Sequence, residues 1–125
     1  MKNREIVFLY CRDPVVSALL ITFLSRMDKV TPQIVHFQPG KENVYTAFQR
    51  NGLYILDADS FEDPRTLKAL LSDLLSTGRR ALVLCSFTDP LSLPVHENLL
   101  RLDKPFRLQE MGEFVMLSVH HCGPG

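Results

Sequence analysis

Apolar residues follow two alternating rhythms along this chain. Ile6-Val7-Phe8-Leu9-Tyr10 is a short unbroken apolar run that ends at polar residues, the form of a strand buried on both faces of a parallel sheet. Asp13-Pro14 then offers a helix N-cap with proline at the first helical position, and Val15, Val16, Leu19, Leu20, Phe23 and Leu24 recur at helical spacing up to Arg26. Pro32 opens a second strand over residues 33–37, which stops at the turn dipeptide Pro39-Gly40. A weaker helix follows over 42–50, with Val44, Ala47 and Phe48 on one side and Asn51-Gly52 as its stop. Leu53-Tyr54-Ile55-Leu56 is the third apolar run, and it leads into the acidic residues Asp57, Asp59, Glu62 and Asp63. Asp63-Pro64 repeats the cap, Leu67, Leu70, Leu71, Leu74 and Leu75 give the cleanest amphipathic helix, and Gly78 closes it. Ala81-Leu82-Val83-Leu84-Cys85 is the fourth strand. The order β-α-β-α-β-α-β with right-handed crossovers places these strands in one parallel sheet with helices on both faces.

The last third of the chain admits two readings. Pro90 and Pro94 confine any helix before residue 101 to its second half. In one reading 99–103 is a fifth parallel strand and 106–119 a closing helix, with Leu108, Met111, Val115 and Val119 on one face. In the other, 106–109 and 114–119 are the strands of an antiparallel hairpin, a choice that Gly112 and the β-branched residues favour on local propensity. Residues 1–122 form one α/β domain, and Gly123-Pro124-Gly125 is a frayed tail.

Composition narrows the function classes. The chain has 125 residues, 46% apolar and 22% charged, which is ordinary for a soluble globular domain. Fourteen basic residues balance fourteen acidic ones, so no net field exists to hold nucleic acid. Cys11, Cys85 and Cys122 are an odd set without C-x-x-C spacing, which suits a reducing cytoplasm better than a disulfide framework or a zinc ribbon. No apolar stretch reaches the roughly 20 residues of a membrane span, and residues 6–11 are too short for a signal peptide. Dinucleotide, phosphate-loop, nucleophile-elbow and zinc-protease motifs are absent, so the chain is read as a non-enzyme without cofactor or metal. His120-His121-Cys122 is read as a solvated tail, and His36 and His96 have no sequence partner that would make either a base or a ligand.

In an open parallel sheet, ligands bind beyond the carboxyl ends of the strands. The residues there are Cys11, Arg12 and Asp13 after the first strand, His36 and Gln38 after the second, Asp57 and Asp59 after the third, and Cys85, Ser86 and Thr88 after the fourth. At this point the chain resembles a response-regulator receiver domain, the phosphoacceptor module of two-component signalling. The opening segment from Arg4 to Pro14 has that family's shape of a strand, an acidic turn and a helix. Leu53-Tyr54-Ile55-Leu56-Asp57 resembles the strand presenting the phosphoacceptor aspartate, Cys85-Ser86 stands at the switch hydroxyl, and Lys104-Pro105-Phe106 resembles the Lys-Pro-Phe after the fifth strand. The resemblance implies a flavodoxin-like, doubly wound, three-layer αβα fold on a mainly parallel five-stranded sheet.

Two departures bear on mechanism. Receivers hold Mg²⁺ with an acidic pair after the first strand plus the phosphoacceptor, and here Cys11 and Arg12 occupy those two places. A guanidinium cannot ligate a hard dication, and an inward Arg12 would pair with Asp57. The aromatic switch position falls on Arg101. The implied function is a degenerate pseudo-receiver that docks a protein partner, a second copy of itself included, without Mg²⁺-dependent phosphorylation. One alternative is a working phosphoacceptor at Asp57 whose metal site uses Asp13 and Asp59. Another, which follows from the hairpin, is a domain resembling the soluble C-terminal domain of membrane-embedded sugar transferases. A third, a small enzyme using Cys11 or Cys85, requires a low thiol pKa.

Overall fold

The computed structural model describes residues 5–27, 30–34, 52–86, 93, 96–104 and 106–121. Five strands, β1 (Glu5–Tyr10), β2 (Val30–Ile34), β3 (Leu53–Asp57), β4 (Arg80–Ser86) and β5 (Leu99–Lys104), form one sheet in the order β2-β1-β3-β4-β5, and every pairing is parallel. Among the described residues three α-helices, α1 (Pro14–Ser25), α2 (Pro64–Ser76) and α3 (Leu108–His121), cover the two faces of the sheet.

Both Asp-Pro signals behave as their chemistry demands. The Asp13 carboxylate accepts from the Val15 and Val16 N–H groups, and the Asp63 carboxylate accepts from the Arg65 N–H, so each satisfies donors that the first helical turn leaves orphaned. β3 is buried at all five positions, as a strand covered on both faces must be. Alternation along the strands splits the core in two. Phe8, Tyr10, Tyr54, Leu56, Ala81, Val83 and Cys85 pack with α2, while Val7, Leu9, Leu53, Ile55, Leu82 and Leu84 pack with α1 and α3. Burying a leucine side chain of this kind is worth about 1.5–3 kcal/mol.

Three expectations need correction or limits. The second strand starts at Val30, not Gln33, and Pro32 lies inside it opposite Val7. β2 is an edge strand, where a sheet tolerates a residue without an N–H. The helix expected over 42–50, together with His36, Gln38, Thr88 and Cys122, lies outside the described residues. The tail is helical, and the antiparallel hairpin is not formed. Propensity loses there to burial, because Leu108, Met111 and Val115 seat α3 on the same core as α1. Gly112 is no turn residue. A Cβ at that position would sit 2.9 Å from Cζ of Phe23, so glycine lets the α1 ring press against the helix backbone. With the hairpin goes the feature that suggested a sugar-transferase appendage. No helix among the described residues is long and apolar enough to cross a membrane.

Candidate functional site

The carboxyl ends of β1, β3, β4 and β5 converge on Asp57. Its side chain is 5% exposed, and both oxygens are engaged. Lys104, the last residue of β5, donates from Nζ to Oδ1 at 2.6 Å. Ser60 donates from Oγ to Oδ2 at 2.9 Å, and the Cys11 thiol lies 3.5 Å from the same oxygen. Ser60 also accepts the Arg12 N–H at 2.9 Å, so one hydroxyl ties the turn after β3 to the turn after β1. Ser60 belongs to none of the motifs legible in the sequence. Its signal is a hydroxyl three residues past the aspartate, where the 3-10 turn over Ala58–Ser60 folds it back.

Asp59 completes the far side of the pocket. Its Oδ2 accepts from Ser86 Oγ at 2.6 Å and from Lys104 Nζ at 2.9 Å. The Ser86 hydrogen bond, with the Lys104 bond and charge behind it, outweighs partial burial and holds the Asp59 carboxyl below its ordinary value. Asp59 therefore stabilises the fold fully above the ordinary carboxylate range of about 3.9, and that contribution is lost as the pH falls through its lowered value. Burial pulls the Lys104 ammonium down, but its bonds to Asp57 and Asp59 prevail and raise its pKa, so it is a fixed cation.

The remaining residues separate into those at the pocket and those away from it. Arg12 does not pair with Asp57: its guanidinium turns outward to Glu62 at 3.5 Å, with more than half its side chain exposed. Keeping that charge solvated costs less than bringing a second cation beside Lys104. Asp13 is occupied as the α1 cap and does not join Asp59 in a metal site. Of the pair after β4, Ser86 reaches the pocket, while Cys85 is fully buried among the aromatic and leucine side chains under α2. Burial first, and then the Asp57 charge, push the Cys11 thiol up, the opposite of what a nucleophilic thiolate needs. Arg101, expected at the aromatic switch position, bonds Asp103 at 2.7 Å on its own strand.

A hard dication needs several carboxylate or carbonyl oxygens. The end of β1 offers a raised-pKa thiol and an outward guanidinium instead, and the Lys104 ammonium already bonds both carboxylates at hand. Among the described residues the donor set does not fit magnesium.

No family model matches the chain, and no curated protein matches it. Solved structures do. A CheY-like response regulator receiver domain protein from Methanospirillum hungatei JF-1 superposes with a TM-score of 0.68 at 19% identity, covering 90% of this chain and 92% of that one. The signal receiver domain of an HD domain-containing protein from Pseudomonas fluorescens Pf-5 superposes with a TM-score of 0.69 at 18% identity, covering 97% of this chain and 90% of that one. At this identity the likeness establishes the fold, a CheY-like, flavodoxin-like α/β architecture over nearly the whole chain.

Proposed function

We propose that the chain is a receiver-like regulatory module that works by protein–protein contact and whose aspartate pocket is held in one state by its own lysine, without magnesium-dependent phosphorylation. The observation that carries this is the thiol of Cys11 lying 3.5 Å from Asp57 Oδ2, where a metal-assisted phosphoacceptor needs a second carboxylate. An incoming phosphoryl group brings negative charge to a pocket that, among the described residues, already holds Asp57 and Asp59 against the one ammonium of Lys104. Without a dication, that excess has nothing to neutralise it. Ser60 and Lys104 also occupy both oxygens of Asp57, so the nucleophile would have to break a charge-assisted bond to react.

The test is direct. The chain incubated with an acyl phosphate and Mg²⁺ should keep its unmodified intact mass. Near-complete gain of one phosphoryl group, abolished by Asp57→Asn, would mean the pocket is a working phosphoacceptor.

A further inference from the structure

One helix carries a surface that the pocket chemistry does not explain. α1 spans 12 residues without a single charge, and its outward face is apolar: Val15 is 67% and Leu19 55% exposed, with Ala18 and Thr22 exposed beside them. These four recur at i, i+3, i+4 and i+7, which makes one continuous stripe along the helix. Surface helices of monomeric proteins place charge on such a stripe.

Charge frames the stripe at its two ends. Asp13 lies at the N-terminal end and Arg26 at the C-terminal end, about 20 Å apart at 1.5 Å per residue, and both are exposed. Among the described residues, Arg26 has no ion-pair partner. The two bonds to Asp13 drawn by the α1 cap both fall on Oδ1. A stripe with a negative end and a positive end is complementary to itself, but only when the two copies run antiparallel. In that orientation the Asp13 of each copy meets the Arg26 of the other, and the helix dipoles oppose favourably. A parallel arrangement would set Asp13 against Asp13. The zero net charge of the chain adds no repulsion between copies.

We infer that a second copy of this chain docks antiparallel on the α1 stripe, about a two-fold axis passing near Leu19. Ala18 and Thr22 are small enough for the helix axes to approach closely, and Val15 and Leu19 leave water on both copies. One pair of 12-residue helices buries less than the roughly 1,200 Å² of a standard interface, so the dimer is weak and concentration-dependent. This interface lies apart from Asp57 and stands or falls independently of the pocket.

Sedimentation equilibrium of the full chain across a wide concentration range tests it. The expected result is a reversible monomer–dimer equilibrium that Leu19→Glu weakens by at least about a hundredfold, with far-UV circular dichroism and the thermal midpoint of the variant near those of the parent. Arg26→Glu, which sets two acids together at each end, should weaken it as well. A parent chain that stays monomeric at all concentrations would overturn the inference and leave the stripe to a different protein. So would a dimer that survives Leu19→Glu. If Leu19→Glu unfolds the chain, Leu19→Cys decides: a cross-chain disulfide on mild oxidation, absent from the parent, supports the two-fold axis, and its absence refutes it.

Discussion

Replacing Cys11 and Arg12 together by aspartate should give this chain a magnesium site that the parent lacks. Cys11 Sγ lies 3.5 Å from Asp57 Oδ2, so a carboxylate grown from the same backbone position reaches the same space. Arg12 follows it on the turn that Ser60 pins through the Arg12 N–H, a bond that the substitution leaves in place. Without metal the new acids repel Asp57 and Asp59, and the variant should be less stable than the parent by about 1–2 kcal/mol. Adding Mg²⁺ should reverse this. At ten times the dissociation constant the ion stabilises by about 1.4 kcal/mol, which a thermal-shift titration resolves as a saturable rise in Tm in the variant and none in the parent. Equal rises in both proteins would show that the parent already binds the ion and that the thiol is no obstacle.

Removing the cation should be the most damaging single change at the pocket. Lys104→Met leaves Asp57 buried without its counter-charge. Breaking a buried pair in this way costs about 3–5 kcal/mol, and because the Lys104 side chain is 28% exposed, about 2–4 kcal/mol is expected here. Asp57→Asn should cost less, since it leaves no buried carboxylate: the amide oxygen still accepts from Lys104, and the amide NH2 that replaces Oδ2 donates to the Ser60 hydroxyl. Combining the two substitutions should recover much of the loss, giving a coupling of about 2 kcal/mol in a urea-denaturation double-mutant cycle. A coupling near zero would mean that the 2.6 Å contact is an incidental surface pair.

The sequence made most of the scaffold legible because its local signals agreed with one another. The apolar runs at β1, β3 and β4 and the two Asp-Pro caps lie where the chain reads them, and the parallel order follows from strand–helix alternation. The misses have physical causes that no local pattern records. Pro32 reads as a strand boundary unless β2 is known to be an edge, and edges are a property of the whole sheet. Gly112 reads as a turn until Phe23, some ninety residues earlier, packs against it. At the site, residue positions were legible and side-chain directions were not. Arg12 has the right place to reach Asp57 and a lower-energy partner in Glu62. Cys85 and Ser86 are neighbours on a strand, where period two sends one into the core and leaves the other at the pocket. The contribution of Lys104 was visible as a motif, but its grip on Asp59 as well as Asp57 required the end of β5 to lie beside the end of β4, with Lys104 opposite Ser86.

The central claim is that, among the described residues, the aspartate pocket of this receiver fold holds a lysine ammonium as its only cation. Amide NMR of the unmodified chain, titrated with Mg²⁺ and a beryllium fluoride phosphoryl mimic, tests it most directly. The expected spectrum leaves the signals of Asp57, Asp59, Ser86 and Lys104 in place apart from small, non-saturating changes with ionic strength. Saturable shifts centred on those residues at millimolar Mg²⁺, enlarged by the mimic, would contradict it.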